Sequence, residues 1–133
     1  MAEVSKSGVP SLASLLPSAN NKTTGLLAGE ALAAGDACYI RASDGRVMRS
    51  TGAATGVAAK VRGFAAEACA AGQAVTLFHD VKFRYGAALT PGADLFLSGT
   101  VVGGLADAAS IGGTASVGYV VSATLIQVML SRY

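Results

Sequence analysis

Residues 29–40 read Gly-Glu-Ala-Leu-Ala-Ala-Gly-Asp-Ala-Cys-Tyr-Ile, and residues 86–97 read Gly-Ala-Ala-Leu-Thr-Pro-Gly-Ala-Asp-Leu-Phe-Leu. Laid over one another, Leu32 falls on Leu89, Gly35 on Gly92 and Tyr39-Ile40 on Phe96-Leu97. The agreement continues downstream. Arg62-Gly63-Phe64-Ala65 resembles Val117-Gly118-Tyr119-Val120, and Ala74-Val75-Thr76-Leu77 resembles Leu125-Ile126-Gln127-Val128. Each unit reads as a leucine, a glycine turn, a strand, a hairpin, a Gly-aromatic strand and a closing strand. A chain that turns sharply into a strand favours a residue without Cβ at the turn. Two units of this kind are expected to pair their sheets into one pseudo-symmetric body, because neither buries its apolar face alone.

Working outward, the remaining segments read as strands too. Residues 36–41 form one, and Arg46-Val47-Met48-Arg49 another; Asp44-Gly45 between them predicts a hairpin, since both positions tolerate positive φ. Residues 57–66 read as a longer, weaker strand. Residues 74–79, 94–98, 117–121 and 125–130 complete the set. Val81-Lys82-Phe83-Arg84-Tyr85 alternates with period two, which places Val81, Phe83 and Tyr85 on one face and Lys82 and Arg84 on the other. Short, evenly spaced strands with Gly-rich turns predict an all-β fold: a small barrel or sandwich built from two pseudo-repeats, with an extended N-terminal arm.

The arm is residues 1–24, and the β-rich domain is 25–133. The arm is rich in Ser, Asn, Thr and Pro but carries the island Val9-Pro10-Ser11-Leu12-Ala13-Ser14-Leu15-Leu16-Pro17. Leu12, Leu15 and Leu16 stand at i, i+3 and i+4, so one helical turn between the prolines is expected. A segment this short is not stable alone. Either the N-terminus is disordered, or Val9, Leu12, Leu15 and Leu16 order against a neighbouring subunit.

Composition narrows the function. The 133 residues suit one domain. The chain is 52% apolar, 6% aromatic and 14% charged, with no Trp. So low a charged fraction suits a surface largely covered by partners. A formal charge of +2 is too weak for a general nucleic-acid binder, whose affinity rests on many phosphate contacts. The charge is uneven, however: Arg41, Arg46, Arg49, Lys60 and Arg62 cluster with one acid, Asp44. That cluster is either the solvated face of a sheet or a docking patch for an acidic protein surface. Cys38 and Cys69 read as small buried hydrophobes, with a disulfide left open by spacing alone. Their scarcity points to assembly in a reducing compartment. The start of the chain lacks the order of a secretion signal, and apolar runs are broken well short of a membrane span.

Chemistry-bearing constellations are sparse. His79-Asp80 is the only His-acid pair, at a strand end where a turn is expected. A second histidine for a metal site is missing, as is a Gly-x-Ser-x-Gly nucleophile. Glu30, Asp36, Asp44, Asp94 and Asp107 fall singly at turns, unlike the oxygen cluster of a calcium loop. No catalytic, metal-binding or cofactor-binding residue is therefore expected, and no cofactor. A small hydrolase built on His79, alone or paired with Cys38 or Cys69, is the reading this argues against.

The ordered set of 29–40, Gly63-Phe64-Ala65-Ala66-Glu67, Ala71-Gly72-Gln73-Ala74-Val75-Thr76, Leu89-Thr90-Pro91-Gly92-Ala93-Asp94-Leu95-Phe96-Leu97-Ser98 and Val117-Gly118-Tyr119-Val120-Val121-Ser122-Ala123-Thr124 resembles the small bacteriophage head decoration, or capsid cement, proteins. The resemblance spans about residues 28–130. It implies a β-rich structural protein that binds the outer surface of an expanded capsid, often as a homotrimer, and stabilises the shell by bridging major capsid subunits. It implies no enzyme activity, nucleic acid or membrane. The location it implies is the virion exterior, after assembly in the host cytoplasm. The alternative is a carbohydrate- or receptor-binding β-module of a tail fibre or spike, with Tyr39, Tyr85, Phe96 and Tyr119 as stacking candidates.

Overall fold

The computed structural model describes residues 3–13 and 21–131. Its strands are β1 (Glu3–Val4), β2 (Ser11–Leu12), β3 (Lys22–Leu27), β4 (Ala37–Ile40), β5 (Val47–Arg49), β6 (Gly63–Ala65), β7 (Ala74–Phe78), β8 (Val81–Arg84), β9 (Asp94–Leu97), β10 (Leu105–Ala106), β11 (Gly118–Val120) and β12 (Leu125–Val128). They form two antiparallel sheets, in the orders β3-β7-β6-β4-β5 and β1-β10-β9-β11-β12-β8-β2. The fold is all-β, as the strand pattern predicts.

The duplication is written into the hydrogen bonding. Without β1 and β2 the second sheet repeats the first, strand for strand: β8 stands for β3, β9 for β4, β10 for β5, β11 for β6 and β12 for β7. Pairings agree by residue. Ala37 faces Phe64 and Cys38 faces Gly63, as Asp94 faces Tyr119 and Leu95 faces Gly118. The entry turns match too. Gly35 has φ 82° and Gly92 has φ 85°. The Gly35 N–H donates to the Ala65 carbonyl at 2.7 Å and Gly92 N–H to Val120 at 2.8 Å. Ala65 and Val120 donate back, to Asp36 and Ala93 respectively. One detail of the sequence alignment shifts: Ala65 pairs with Leu77 and Val120 with Ile126, so Leu77 corresponds to Ile126 and not to Val128. The closing strands carry no glycine to fix their offset, so sequence likeness alone slipped by two residues.

The halves share their interiors but not their outer faces. Cys38, Val47, Ala65 and Leu77 fill the inside of the first curled sheet together with Ala28, Leu32 and Val75. The corresponding Leu95, Leu105, Val120 and Ile126 belong to a larger core that also takes in Ala37, Val61 and Phe64. Phe64 is thus sealed against the second half, its ring centroid 6.3 Å from that of Phe83. Tyr119, at the matching register position, is 43% exposed. One outer face packs on the sister repeat; the other meets solvent.

Two local expectations change and one holds. Asp44-Gly45 does not make a two-residue turn. The Arg41 N–H donates to Arg46 and the Gly45 N–H to Arg41, which closes a four-residue loop. Only Gly45 adopts positive φ there, while the Asp44 carboxylate accepts the Arg46 N–H. The first part of 57–66 is a 3₁₀ turn, Gly56–Ala59, and only Gly63–Ala65 is strand. The alternation of 81–85 holds: Val81, Phe83 and Tyr85 are buried, Lys82 and Arg84 exposed.

The N-terminal segment is woven into the body. β1 pairs with β10 and β2 with β8, at opposite edges of the second sheet. Leu12 is therefore extended, not in a helical turn; Leu15 and Leu16 lie outside the described residues. A flat sheet of seven strands would hold its edges roughly 29 Å apart, whereas residues 4–11 reach at most about 25 Å. The sheet must curl for this strap to bridge it. β3 begins at Lys22 and belongs to the first repeat, so strand structure starts before the boundary placed after residue 24.

Candidate docking surface

The strap and the strand that precedes it make side-chain contacts with both repeats. Lys6 Nζ lies 2.8 Å from Asp36 Oδ1, and Asp36 is almost fully buried. The other carboxylate oxygen accepts the Ala33 N–H at 2.8 Å. Glu3 accepts from Ser98 Oγ at 2.6 Å and from Thr100 Oγ1. The Ser7 N–H donates to the Tyr85 carbonyl. Pro10 is buried over Gly35. Backbone pairing fixes the strap to the second repeat, while Lys6 and Pro10 engage the first. Of the apolar arm residues, Val9 is 81% exposed and Leu12 packs against the core.

The five clustered cations separate into two groups. Arg41 holds Asp44 through two bonds, Nε to Oδ1 at 3.0 Å and Nη2 to Oδ2 at 2.5 Å. Arg46 Nε stands 4.0 Å from the same carboxylate. These contacts hold the Asp44 carboxyl at about 2, first through the Arg41 hydrogen bond and then through the Arg46 N–H. Arg49 pairs with Glu30 at 3.3 Å, and its N–H donates to the same side chain. Glu30 is a neutralising group that sequence reasoning left as an isolated turn residue.

Lys60 and Arg62 have no carboxylate within ion-pair distance among the described residues. They flank Val61, which is fully buried, so period-two alternation turns both outward. The Val61 N–H donates to Ser131 Oγ at 2.7 Å, and the Ser131 N–H returns to the Val61 carbonyl at 3.0 Å. The Arg62 N–H donates to Cys38. Backbone on both sides thus fixes the rail that presents the two cations. With Tyr39, Ile40, Ala42 and Val57 they line a hollow of about 300 Å³.

The remaining candidates fall apart in space or into the core. Tyr85 is buried, Tyr39 and Phe96 are half-buried on different sheets, and Tyr119 is exposed. Cys38 is buried and free, and burial pushes its thiol up to about 12. Cys69 is free but only half-buried, which corrects its reading as a buried hydrophobe: it lies outside the named strands, held by an isolated antiparallel bridge to Leu32. His79 Nδ1 lies 3.1 Å from Asp80 in the β7–β8 turn, and Asn21 Nδ2 donates to both their carbonyls. Among the described residues no group of three His, Cys, Asp or Glu side chains is placed to hold a metal ion, and no helix is long and apolar enough to cross a membrane.

Neither protein-family models nor curated proteins give a match to this chain. Its function is therefore argued from its own geometry.

Proposed function

We propose that the protein is a non-enzymatic structural protein of a bacteriophage virion. It binds the outer surface of an expanded capsid and stabilises the shell by bridging neighbouring major capsid subunits, with homotrimers multiplying each contact. The observation that carries this reading is the strap. One N-terminal segment pairs with both edges of the second sheet and locks Lys6 onto Asp36 of the first repeat. A bridging subunit resists deformation only when its halves cannot slide past one another, and this segment ties them together. The outward cations Lys60 and Arg62 suit an acidic shell. Several modest contacts per oligomer add up through effective concentration.

The test is to mix the purified protein with expanded, undecorated heads. Saturable binding and a higher shell melting temperature are expected. Heads that stay bare, or bind without gaining stability, would overturn the reading.

A further inference from the structure

The hollow beside Lys60 and Arg62 combines three features seldom found together on an exposed surface. Its floor is apolar: Tyr39, Ile40 and Ala42 come from β4 and its hairpin, and Val57 from the 3₁₀ turn. Val57 is 47% exposed, so a large aliphatic side chain stands in water at the rim. The wall holds two cations that lack carboxylate partners among the described residues. The nearby Asp44 is engaged by Arg41 and Arg46 and does not neutralise them.

The wall is also fixed in advance. Val61, between the two cations, exchanges hydrogen bonds with Ser131 on one side, and the Arg62 N–H bonds Cys38 of β4 on the other. An immobile backbone reduces the ordering cost of binding. Arg62 is exposed and Lys60 partly so, and cations without a carboxylate partner among the described residues can gain one without first giving one up. An apolar floor alone would accept many surfaces; fixed charges at its edge select the sign of the partner.

We propose that this hollow binds an extended acidic segment of a partner protein, seating one aliphatic side chain on Ile40 and Val57 while flanking carboxylates meet Lys60 and Arg62. The apolar side chain supplies burial and the carboxylates supply orientation. A nucleic acid strand fits less well. It would bring phosphates for the two cations, but its contacts elsewhere would fall on Arg41, Arg46 and Arg49, whose charge Asp44 and Glu30 already offset in large part. The inference concerns the chemistry this surface recognises and does not require that the partner be a capsid shell.

The experiment titrates the full chain with the synthetic peptide acetyl-Gly-Asp-Glu-Leu-Asp-Glu-Gly-amide and follows it by NMR. Shifts are expected to centre on the Ile40 and Val57 methyls and the Lys60 and Arg62 amides, and to weaken with salt. Replacing the peptide's leucine by glycine, or its acids by their amides, should lower affinity about tenfold each. So should the protein variant Lys60→Gln with Arg62→Gln; Arg62 is exposed and Lys60 half-buried, and an unchanged melting temperature confirms that the variant is folded. Should it unfold, Val57→Ser replaces it, with the same loss expected. Shifts elsewhere, affinity indifferent to the variants, or a single-stranded oligonucleotide bound in preference to the peptide would each overturn the proposal. Heads that are still decorated by the Lys60→Gln, Arg62→Gln variant would retire the hollow as the shell contact while leaving the structural role intact.

Discussion

Lys6 Nζ and Asp36 Oδ1 meet at 2.8 Å across thirty residues of chain, and the carboxylate is nearly sealed from water. Asp36 also caps the turn through the Ala33 N–H. Replacing Lys6 by Met removes its counter-charge and leaves a buried carboxylate. The expected cost is about 2–3 kcal/mol, below the upper range for fully buried pairs because Lys6 is partly exposed. The double variant Lys6→Met, Asp36→Asn should recover part of that loss. Urea denaturation of the three proteins measures it; a Lys6→Met midpoint equal to the parent's would show that the pair does not hold the strap.

Gly35 and Gly92 offer a matched comparison. Both adopt positive φ, so alanine at either should cost roughly 1 kcal/mol in backbone strain. At Gly92 a new methyl meets open space. At Gly35 it meets Pro10 of the strap at 2.8 Å and Tyr85 at 3.3 Å. Gly35→Ala should therefore lose clearly more stability than Gly92→Ala, and amide exchange at Ser7 should rise only in the former. Equal losses with unchanged exchange would contradict the packing of Pro10 on the turn.

The Asp44 carboxyl is pulled down from 3.8 to about 2, chiefly by the Arg41 hydrogen bond. A carboxylate with a depressed folded pKa contributes stability that is present above its unfolded value and lost as pH falls through the folded one. The hairpin contribution of Asp44 should thus hold above pH 3.8 and fade as pH falls toward about 2. Carbon-detected NMR titration of the Asp44 side chain reads this directly. Arg41→Gln should move the midpoint back toward ordinary carboxylates.

The two thiols should differ in reactivity. Cys38 is buried, and its thiol stays protonated up to about 12, whereas Cys69 is half-buried. Because thiolate is the reactive form, maleimide at neutral pH should modify Cys69 first. Cys38 should react only at the rate of global unfolding. Peptide mapping by mass spectrometry after timed quenching tells the two apart, and early labelling at Cys38 would show that the first core opens locally.

Much of the fold was legible because its signals are local. The Gly35 and Gly92 turns, each followed by an apolar strand, marked the duplication, and Val81-Lys82-Phe83-Arg84-Tyr85 showed its faces by alternation alone. β3 escaped notice because Lys22-Thr23-Thr24-Gly25-Leu26-Leu27 does not alternate: a register shift between Thr23 and Leu26 breaks the period. β1 and β2 are two residues each, too short for any periodic pattern. The Lys6–Asp36 pair was hidden by sequence distance, yet the repeat held a clue. Asp36 corresponds to Ala93, so only one half carries a charge at this turn, and where that turn is buried the charge asks for a partner outside the repeat. The basic cluster was visible as composition, but its division was not, since Glu30 reaches Arg49 only once the first sheet has curled.

The strap also sets an order of events during synthesis. Glu3 and Val4 leave the ribosome well before their strand partners, Ala106 and Leu105. At about 5–20 residues per second, those partners follow roughly 5–20 s later. The first repeat can close while the leading residues still trail in solution, and only the completed second repeat offers them a seat. The strap is therefore the last piece fastened, a latch that closes only on a finished second repeat.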